Sequence, residues 1–99
     1  MIVASLRLDL LLGDVHSLKE KRALVRPLIA DLRRVFAVHA AETGWLDLHR
    51  RAEIGVALVG ADGGHSQEVL RRCEDFVADR PEFQLLQTRL RVWDDDDDE

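Results

Sequence analysis

Three patterns in the sequence predict a small α+β domain in which two helices cover one face of a four-stranded antiparallel sheet. Apolar and polar residues alternate near the start, in the middle and at the end of the 99-residue chain, which is typical of half-buried strands. Two other segments repeat apolar residues at helical spacing. With a short strand after the first helix, the order becomes βαββαβ, that of the ferredoxin-like sandwich.

The first strand is predicted over residues 2 to 12, and a Gly-Asp pair ends it. The helix that follows is predicted over residues 17 to 36 and begins with a capping box. In this box the Ser17 hydroxyl accepts a first-turn N–H, and Glu20 reaches back to the N-cap. Pro27 falls opposite the apolar stripe of this helix, so we expect it to kink the helix rather than end it.

The remaining elements follow from the same two periodicities and from the turn residues between them. Asp62 is the expected N-cap of the second helix, and Cys73 lies on the apolar side of that helix. In order, we predict a strand over residues 37 to 43, a loop over 44 to 50, a strand over 51 to 59, a helix over 64 to 79 and a strand over 83 to 93.

The composition indicates one soluble domain followed by an acidic tail. No apolar run approaches the roughly 20 residues that span a membrane, and the single cysteine fits a reducing cytoplasm. The net charge is −5 and the last six residues carry −6, which leaves +1 for the first 93 residues. We therefore predict one domain over residues 1 to 93. A disordered tail is predicted over residues 94 to 99, because a run of like charges repels itself.

The first helix carries a cluster of basic side chains that predicts a nucleic-acid interface. Phosphate binding requires long cationic side chains on one surface. The alternative is an ordinary solvated helix face whose aliphatic stems cover the edge of the core. The candidate phosphate ligands are Lys19, Lys21, Arg22, Arg26 and Arg33 on the helix, with Arg50 and Arg51 beside the central loop.

The sheet face that points away from the helices is the second candidate surface. It suits a dimer interface anchored by Trp93, cross-strand ion pairs with Asp9 or Glu53, or single-stranded RNA. The aromatic residues that stack bases at the centre of RRM sheets are absent from its strands, which favours the first two alternatives. The candidate interface residues are Arg7, Arg89, Arg91 and Trp93.

Residue types and spacing indicate no catalytic, metal or cofactor site. The four histidines are scattered, and neither an H-x-x-x-H nor a CxxC pattern occurs. The chain has no asparagine and no glycine-rich loop after its first strand, which argues against an acylphosphatase-type site. We therefore expect a protein that is not an enzyme and that needs no metal and no small-molecule cofactor.

Two motifs resemble the YlxP-like family of small bacterial proteins: SLKEKR at residues 17 to 22, after a first strand, and RAEIG at residues 51 to 55. The resemblance extends from Met1 to about Trp93 and implies a ferredoxin-like fold. Genes of this family often lie among those for translation initiation and ribosome maturation, which implies a process rather than a mechanism. The central loop departs from the family pattern D-x-Q-D-L-W-Q-R, and a tryptophan stands at Trp45 instead.

Two functions follow as expectations. The first is a non-enzymatic module that binds RNA or a ribosomal subunit through the basic helix, with an affinity that falls steeply as salt rises. The second is a homo-oligomeric protein-interaction module, such as a dimer, that uses the open sheet face or a sheet edge.

Overall fold

A computed structural model describes residues 1 to 96 of the chain. Its elements are β1 (Ile2–Leu12), α1 (Leu18–Phe36), β2 (His39–Gly44), β3 (Arg51–Gly60), α2 (Gly63–Ala78) and β4 (Phe83–Asp94). The four strands form one antiparallel sheet in the order β2-β3-β1-β4, which confirms the α+β, ferredoxin-like prediction. Within the described residues, no helix is long and apolar enough to cross a membrane.

The core lies between the sheet and the two helices because each element turns one apolar side toward it. In β1 the side chains of Leu6, Leu8 and Leu10 are buried and alternate with polar ones, as the two-residue period of a strand requires. Leu28 of α1 and Cys73 of α2 belong to the same buried cluster. Cys73 is thus a core residue, as predicted, and burial raises the pKa of its thiol to about 11.

α1 begins with a modified capping box. Ser17 Oγ accepts a hydrogen bond from Glu20 N at 3.1 Å, as predicted. Glu20 Oε2 accepts from His16 N at 2.7 Å, one residue before the expected N-cap N–H. Pro27 lies on the exposed side of α1, and the helix continues past it to Phe36.

The end of α1 shifts the start of the following strand. Ala37 adopts a left-handed backbone with a φ of 53°, and its N–H donates to the carbonyl oxygen of Arg33. The strand predicted over residues 37 to 43 therefore begins only at His39. No residue at this position predicts such a cap, because glycine rather than alanine is usual there.

An ion pair on the surface links the two helices. Arg80, just after α2, contacts the Asp31 carboxylate of α1, and Arg34 lies 3.2 Å from the same carboxylate. Hydrogen bonds from Arg80 and then from Arg34 hold the pKa of Asp31 below its usual value. The Arg80 guanidinium also lies 4.9 Å from the centroid of the Phe76 ring, so one side chain ties α1 to the end of α2.

The end of β4 corrects the predicted boundary between domain and tail. Asp94, predicted as the first tail residue, is the last residue of β4 and pairs with the start of β1. Asp95 Oδ1 and Asp96 Oδ2 lie 2.9 Å and 3.3 Å from the amino group of Met1, and their hydrogen bonds raise the pKa of that group. The rest of the predicted tail, residues 97 to 99, lies outside the described residues.

Candidate functional site

Side chains on the open face of the sheet form rows, each made of one residue of β1 and the residues paired with it on β3 and β4. The row nearest the N-terminus is apolar: Val59 (66% exposed) and Trp93 (49% exposed) flank Val3. Two rows further along, Arg89 lies directly opposite Arg7, an arrangement of like charges that is usually unfavourable. The register thus places Arg7, Arg89, Arg91 and Trp93 on the open face, while their role as an interface stays a prediction.

Polar contacts neutralise the two carboxylates on this face. Arg7 Nε lies 3.3 Å from Glu53 Oε1, and Thr43 Oγ1 donates to Glu53 Oε2 at 2.7 Å. Arg51 Nη2 donates to both oxygens of Asp9 at 2.8 Å. The alternative of cross-strand ion pairs is therefore confirmed for Arg7, and the RAEIG motif supplies two of the side chains that order this face.

Lys21 is buried under the loop between β2 and β3, which corrects its prediction as a phosphate ligand. Only 1% of the residue is exposed. Its Nζ donates to the carbonyl oxygens of Trp45 at 2.7 Å and Leu48 at 2.8 Å. It also lies 2.7 Å from Glu42 Oε2, in an ion pair that is not aligned as a hydrogen bond. The ammonium, with three N–H donors, faces three protein oxygens and is unavailable to a phosphate.

The sequence does contain a signal for the burial of Lys21. This residue stands four positions before Val25, and the buried residues of α1 continue with Leu28 and Leu32, a spacing that follows one helix face. Its charge hides the signal, since lysine is almost never fully buried unless it is paired. The oxygens that pair with it come from β2 and the following loop, which no local pattern connects with α1.

Three other predicted arginines already make ion pairs or hydrogen bonds within the protein. Arg51 is half-buried, bound to Asp9 and stacked on Trp45, so its guanidinium is already engaged, and its role as a phosphate ligand stays a prediction. Arg50 Nε donates to two carbonyl oxygens at the end of β1, at 3.0 and 2.7 Å. Arg33 Nε and Nη2 donate to one carbonyl oxygen of β2, at 3.0 and 2.6 Å. Arg33 and Arg50 remain exposed, but backbone oxygens hold their guanidinium groups in place.

Lys19, Arg22 and Arg26 are the predicted phosphate ligands that remain fully available, and we call them the basic stripe. All three are exposed, and none makes an ion pair with any residue from 1 to 96. Their spacing of three and then four residues places them along one side of α1. Together with Pro27 they line a shallow depression on the helix surface.

Trp45 occupies a strained backbone position beside the open face. Its φ of 58° lies in the left-handed region, which costs a residue with a side chain about 1 to 2 kcal/mol. Lys21 offsets this cost by binding the Trp45 carbonyl, and the Arg51 guanidinium lies 4.8 Å from the ring centroid. Trp45 remains 46% exposed and borders a cavity of about 200 Å³. Other residues that line this cavity are Arg7, Asp9, Glu53, Gln87 and Arg89.

From the sequence, Trp45 was noted only as a departure from a family pattern, and it was not predicted as a site residue. Its neighbours in the cavity come from β1, β3 and β4, and the most distant of them, Arg7 and Arg89, are 82 positions apart in the sequence. A lone tryptophan in a predicted loop gives no sign of which surface its ring will cover. The pairing register of the sheet decides this, and that register depends on long-range contacts.

Comparison with known proteins identifies the family of this chain. A family model described as "Protein of unknown function (DUF503)" matches residues 3 to 90. The chain is also similar to the uncharacterized protein YlxP of Bacillus subtilis (strain 168), with 30% identity over 81 residues that cover 82% of this chain and 88% of that protein. The resemblance to the YlxP-like family is thereby confirmed, and the chain belongs to the DUF503 family.

Proposed function

We propose that this protein is a non-catalytic RNA-binding protein that contacts phosphates through the basic stripe of α1. The observation that carries the proposal is the availability of Lys19, Arg22 and Arg26. These three cations are exposed on one side of a helix and make no ion pair with any described residue. A helix that needed charge only for solubility would gain from acidic partners at a spacing of three or four residues, and these side chains have none.

The geometry of the stripe suits the phosphate backbone rather than one small anion. From Lys19 to Arg26 the helix rises about 10 Å, at roughly 1.5 Å per residue. Successive phosphates of one strand lie about 3.4 Å apart along the axis of duplex DNA, so on that scale three cations over this length meet about three phosphates. The gene neighbourhood that the YlxP-like resemblance implies makes ribosomal RNA the first partner to examine.

The test compares the binding of the purified protein to ribosomal subunits and to a short RNA hairpin at two salt concentrations. With about three phosphate contacts, we expect the logarithm of the affinity to fall with the logarithm of the salt concentration with a slope of roughly −2 to −3. Lys19→Glu/Arg22→Glu should abolish this binding. No binding at low salt, or binding that salt does not weaken, would contradict the proposal.

The matched control is Arg71→Glu/Arg72→Glu on α2. It changes the net charge by the same amount at exposed positions on the second helix. If binding depends on the location of the basic stripe, the control should retain most of the wild-type affinity. An equal loss in both double variants would mean that only the net charge matters, and the basic stripe would then have no specific role.

A second candidate function is self-association through the apolar row of the open sheet face. Val59 and Trp93 are among the most exposed large hydrophobic residues described, and they flank Val3 across three strands. Contiguous exposed apolar surface often marks a protein interface. We expect light scattering at micromolar concentration to show a dimer that Trp93→Arg returns to the monomer, whereas a wild-type monomer under these conditions would rule out this candidate.

A further inference from the structure

We infer that the cavity beside Trp45 holds one unpaired base of the bound RNA, stacked on the indole of Trp45. The inference rests on the proposed function and deepens it, because it makes single-stranded RNA the preferred substrate. The cavity lies on the open sheet face, whereas the basic stripe lies on α1, so the two sites contact different parts of one RNA.

The indole is presented as a fixed and exposed platform. Strained backbone at a bulky residue persists only where its surroundings impose it, and such positions cluster at ligand-binding sites. Lys21 holds the Trp45 carbonyl from inside the protein, and the guanidinium of Arg51 lies over the ring. Despite these two contacts Trp45 remains 46% exposed, and aromatic faces of this kind stack bases in proteins that bind single strands.

The volume of the cavity is compatible with a single base and is too small for a whole nucleotide. Sites for drug-sized ligands and cofactors usually measure about 300 to 1,000 Å³, whereas this cavity measures about 200 Å³. A whole nucleotide cofactor therefore does not fit inside it. A single base does fit if its sugar and phosphate remain outside, which is the arrangement of an unpaired nucleotide within an RNA strand.

The walls of the cavity offer polar groups for a base edge and for the adjoining phosphate. Asp9 and Glu53 are already neutralised by Arg51 and Arg7, so they do not repel an anion. Arg89 makes no ion pair with residues 1 to 96 and lies directly opposite Arg7. An incoming phosphate would relieve this repulsion of like charges. An amide such as that of Gln87 both donates and accepts hydrogen bonds, as the edge of a base requires.

The buried lysine connects this cavity with the basic stripe. Lys21 lies between Lys19 and Arg22 in α1 and binds the Trp45 carbonyl from the other side, so the loop that carries Trp45 packs against the first turns of α1. An RNA strand on the stripe can pass around this end of the sheet to place one base in the cavity. The apolar row with Trp93 lies at the opposite end of the open face.

The first experiment measures the affinity of the full chain for an RNA hairpin with an unpaired tail and for a blunt duplex of equal length. Trp45→Asn removes the platform with a residue that tolerates the left-handed backbone, and Trp45→Phe retains an aromatic ring. Trp93→Asn is the matched control on the same face. We expect Trp45→Asn to weaken binding to the tailed hairpin about tenfold or more, with Trp45→Phe and Trp93→Asn close to wild type.

The outcomes separate the inference from the proposed function. If wild type binds RNA in a salt-dependent manner and Trp45→Asn binds it equally well, the base site is refuted while the role of the basic stripe stands. A separate outcome concerns the two RNAs: if wild type binds the duplex and the tailed hairpin with equal affinity, the preference for single strands is refuted. If no RNA binds at all, the proposed function fails. A second measurement then tests separately whether the cavity binds a base.

That measurement follows the indole N–H resonances of the two tryptophans during a titration with adenosine monophosphate, which detects weak binding. We expect a saturable shift of the Trp45 resonance, little change at Trp93, and loss of the shift in Arg89→Glu. Equal responses of both indoles, or no response at Trp45, would overturn the inference. Inorganic phosphate at the same concentrations is the control, because a phosphate that reproduced the shift would show an anion site without a base site.

Discussion

Lys19 and Lys21 stand two residues apart in α1, and the structure gives them opposite surroundings. Two residues turn a helix by roughly 200°, so Lys19 lies exposed on the basic stripe while Lys21 lies in line with the buried Val25, Leu28 and Leu32. Lys21 binds three protein oxygens, whereas Lys19 makes no ion pair with residues 1 to 96. The basic residues of this chain therefore form two groups: one group holds loops and strands in place, and the other is available to a partner.

The largest effect should come from Lys21→Met. The change leaves the mostly buried Glu42 carboxylate and two loop carbonyl oxygens without their partner. Breaking a buried ion pair in this way lowers the free energy of unfolding by about 3 to 5 kcal/mol, which urea denaturation would measure. Lys19→Met is the matched control and should change the free energy of unfolding by no more than about 0.5 kcal/mol. Similar values for both variants would remove the distinction between the two groups.

Arg51→Lys should have the next largest effect. Lysine keeps the charge, but it lacks the planar guanidinium that contacts both Asp9 and the Trp45 ring. We expect a loss of about 1 to 2 kcal/mol in the free energy of unfolding, together with a change in tryptophan fluorescence. Arg89→Lys on the same sheet face should leave both quantities near their wild-type values, and an equal loss there would argue against a specific role of Arg51.

A smaller and pH-dependent effect is expected for Asp31→Asn. Because Arg80 and Arg34 hold the pKa of Asp31 below the ordinary aspartate value of 3.8, the ionised carboxylate stabilises the folded state at neutral pH. This stabilisation is lost as the pH falls below about 3.8 and through the lower pKa of the folded state. Urea denaturation should therefore show wild type more stable than Asp31→Asn at pH 7, and the difference should shrink at pH 3. A difference that does not depend on pH would contradict this account.

The smallest effect on stability should come from the basic stripe itself. Replacing Lys19, Arg22 or Arg26 singly with glutamine should change the free energy of unfolding by no more than about 0.5 kcal/mol, since each is an exposed residue without an ion pair to the described residues. The same variants should weaken RNA binding measurably. A large decrease in the free energy of unfolding, together with unchanged RNA binding, would reverse the assignment of the two groups.

Local sequence patterns determined the order and type of the elements. The alternation in β1, the helical spacing in α1 and the Asp62 N-cap of α2 are each encoded within a few residues, so they could be predicted without knowledge of distant contacts. The sheet face on which Arg89, Arg91 and Trp93 lie was also predicted correctly, because these residues alternate with Leu90 and Val92, which pack against the core. The start of β2 was wrong because the left-handed cap at Ala37 has no signature in the sequence.

Only the tertiary structure shows which basic side chains are buried or bound to other groups of the protein. The sequence placed seven basic residues in one candidate site, but the fold buries Lys21, pairs Arg51 with Asp9 and binds the guanidinium groups of Arg33 and Arg50 to backbone oxygens. It also brings Trp45 beside strands that are far from it in sequence. The physical reason is that helix and strand patterns depend on neighbours a few residues apart, whereas the burial and pairing of a long side chain depend on which distant segment packs against it.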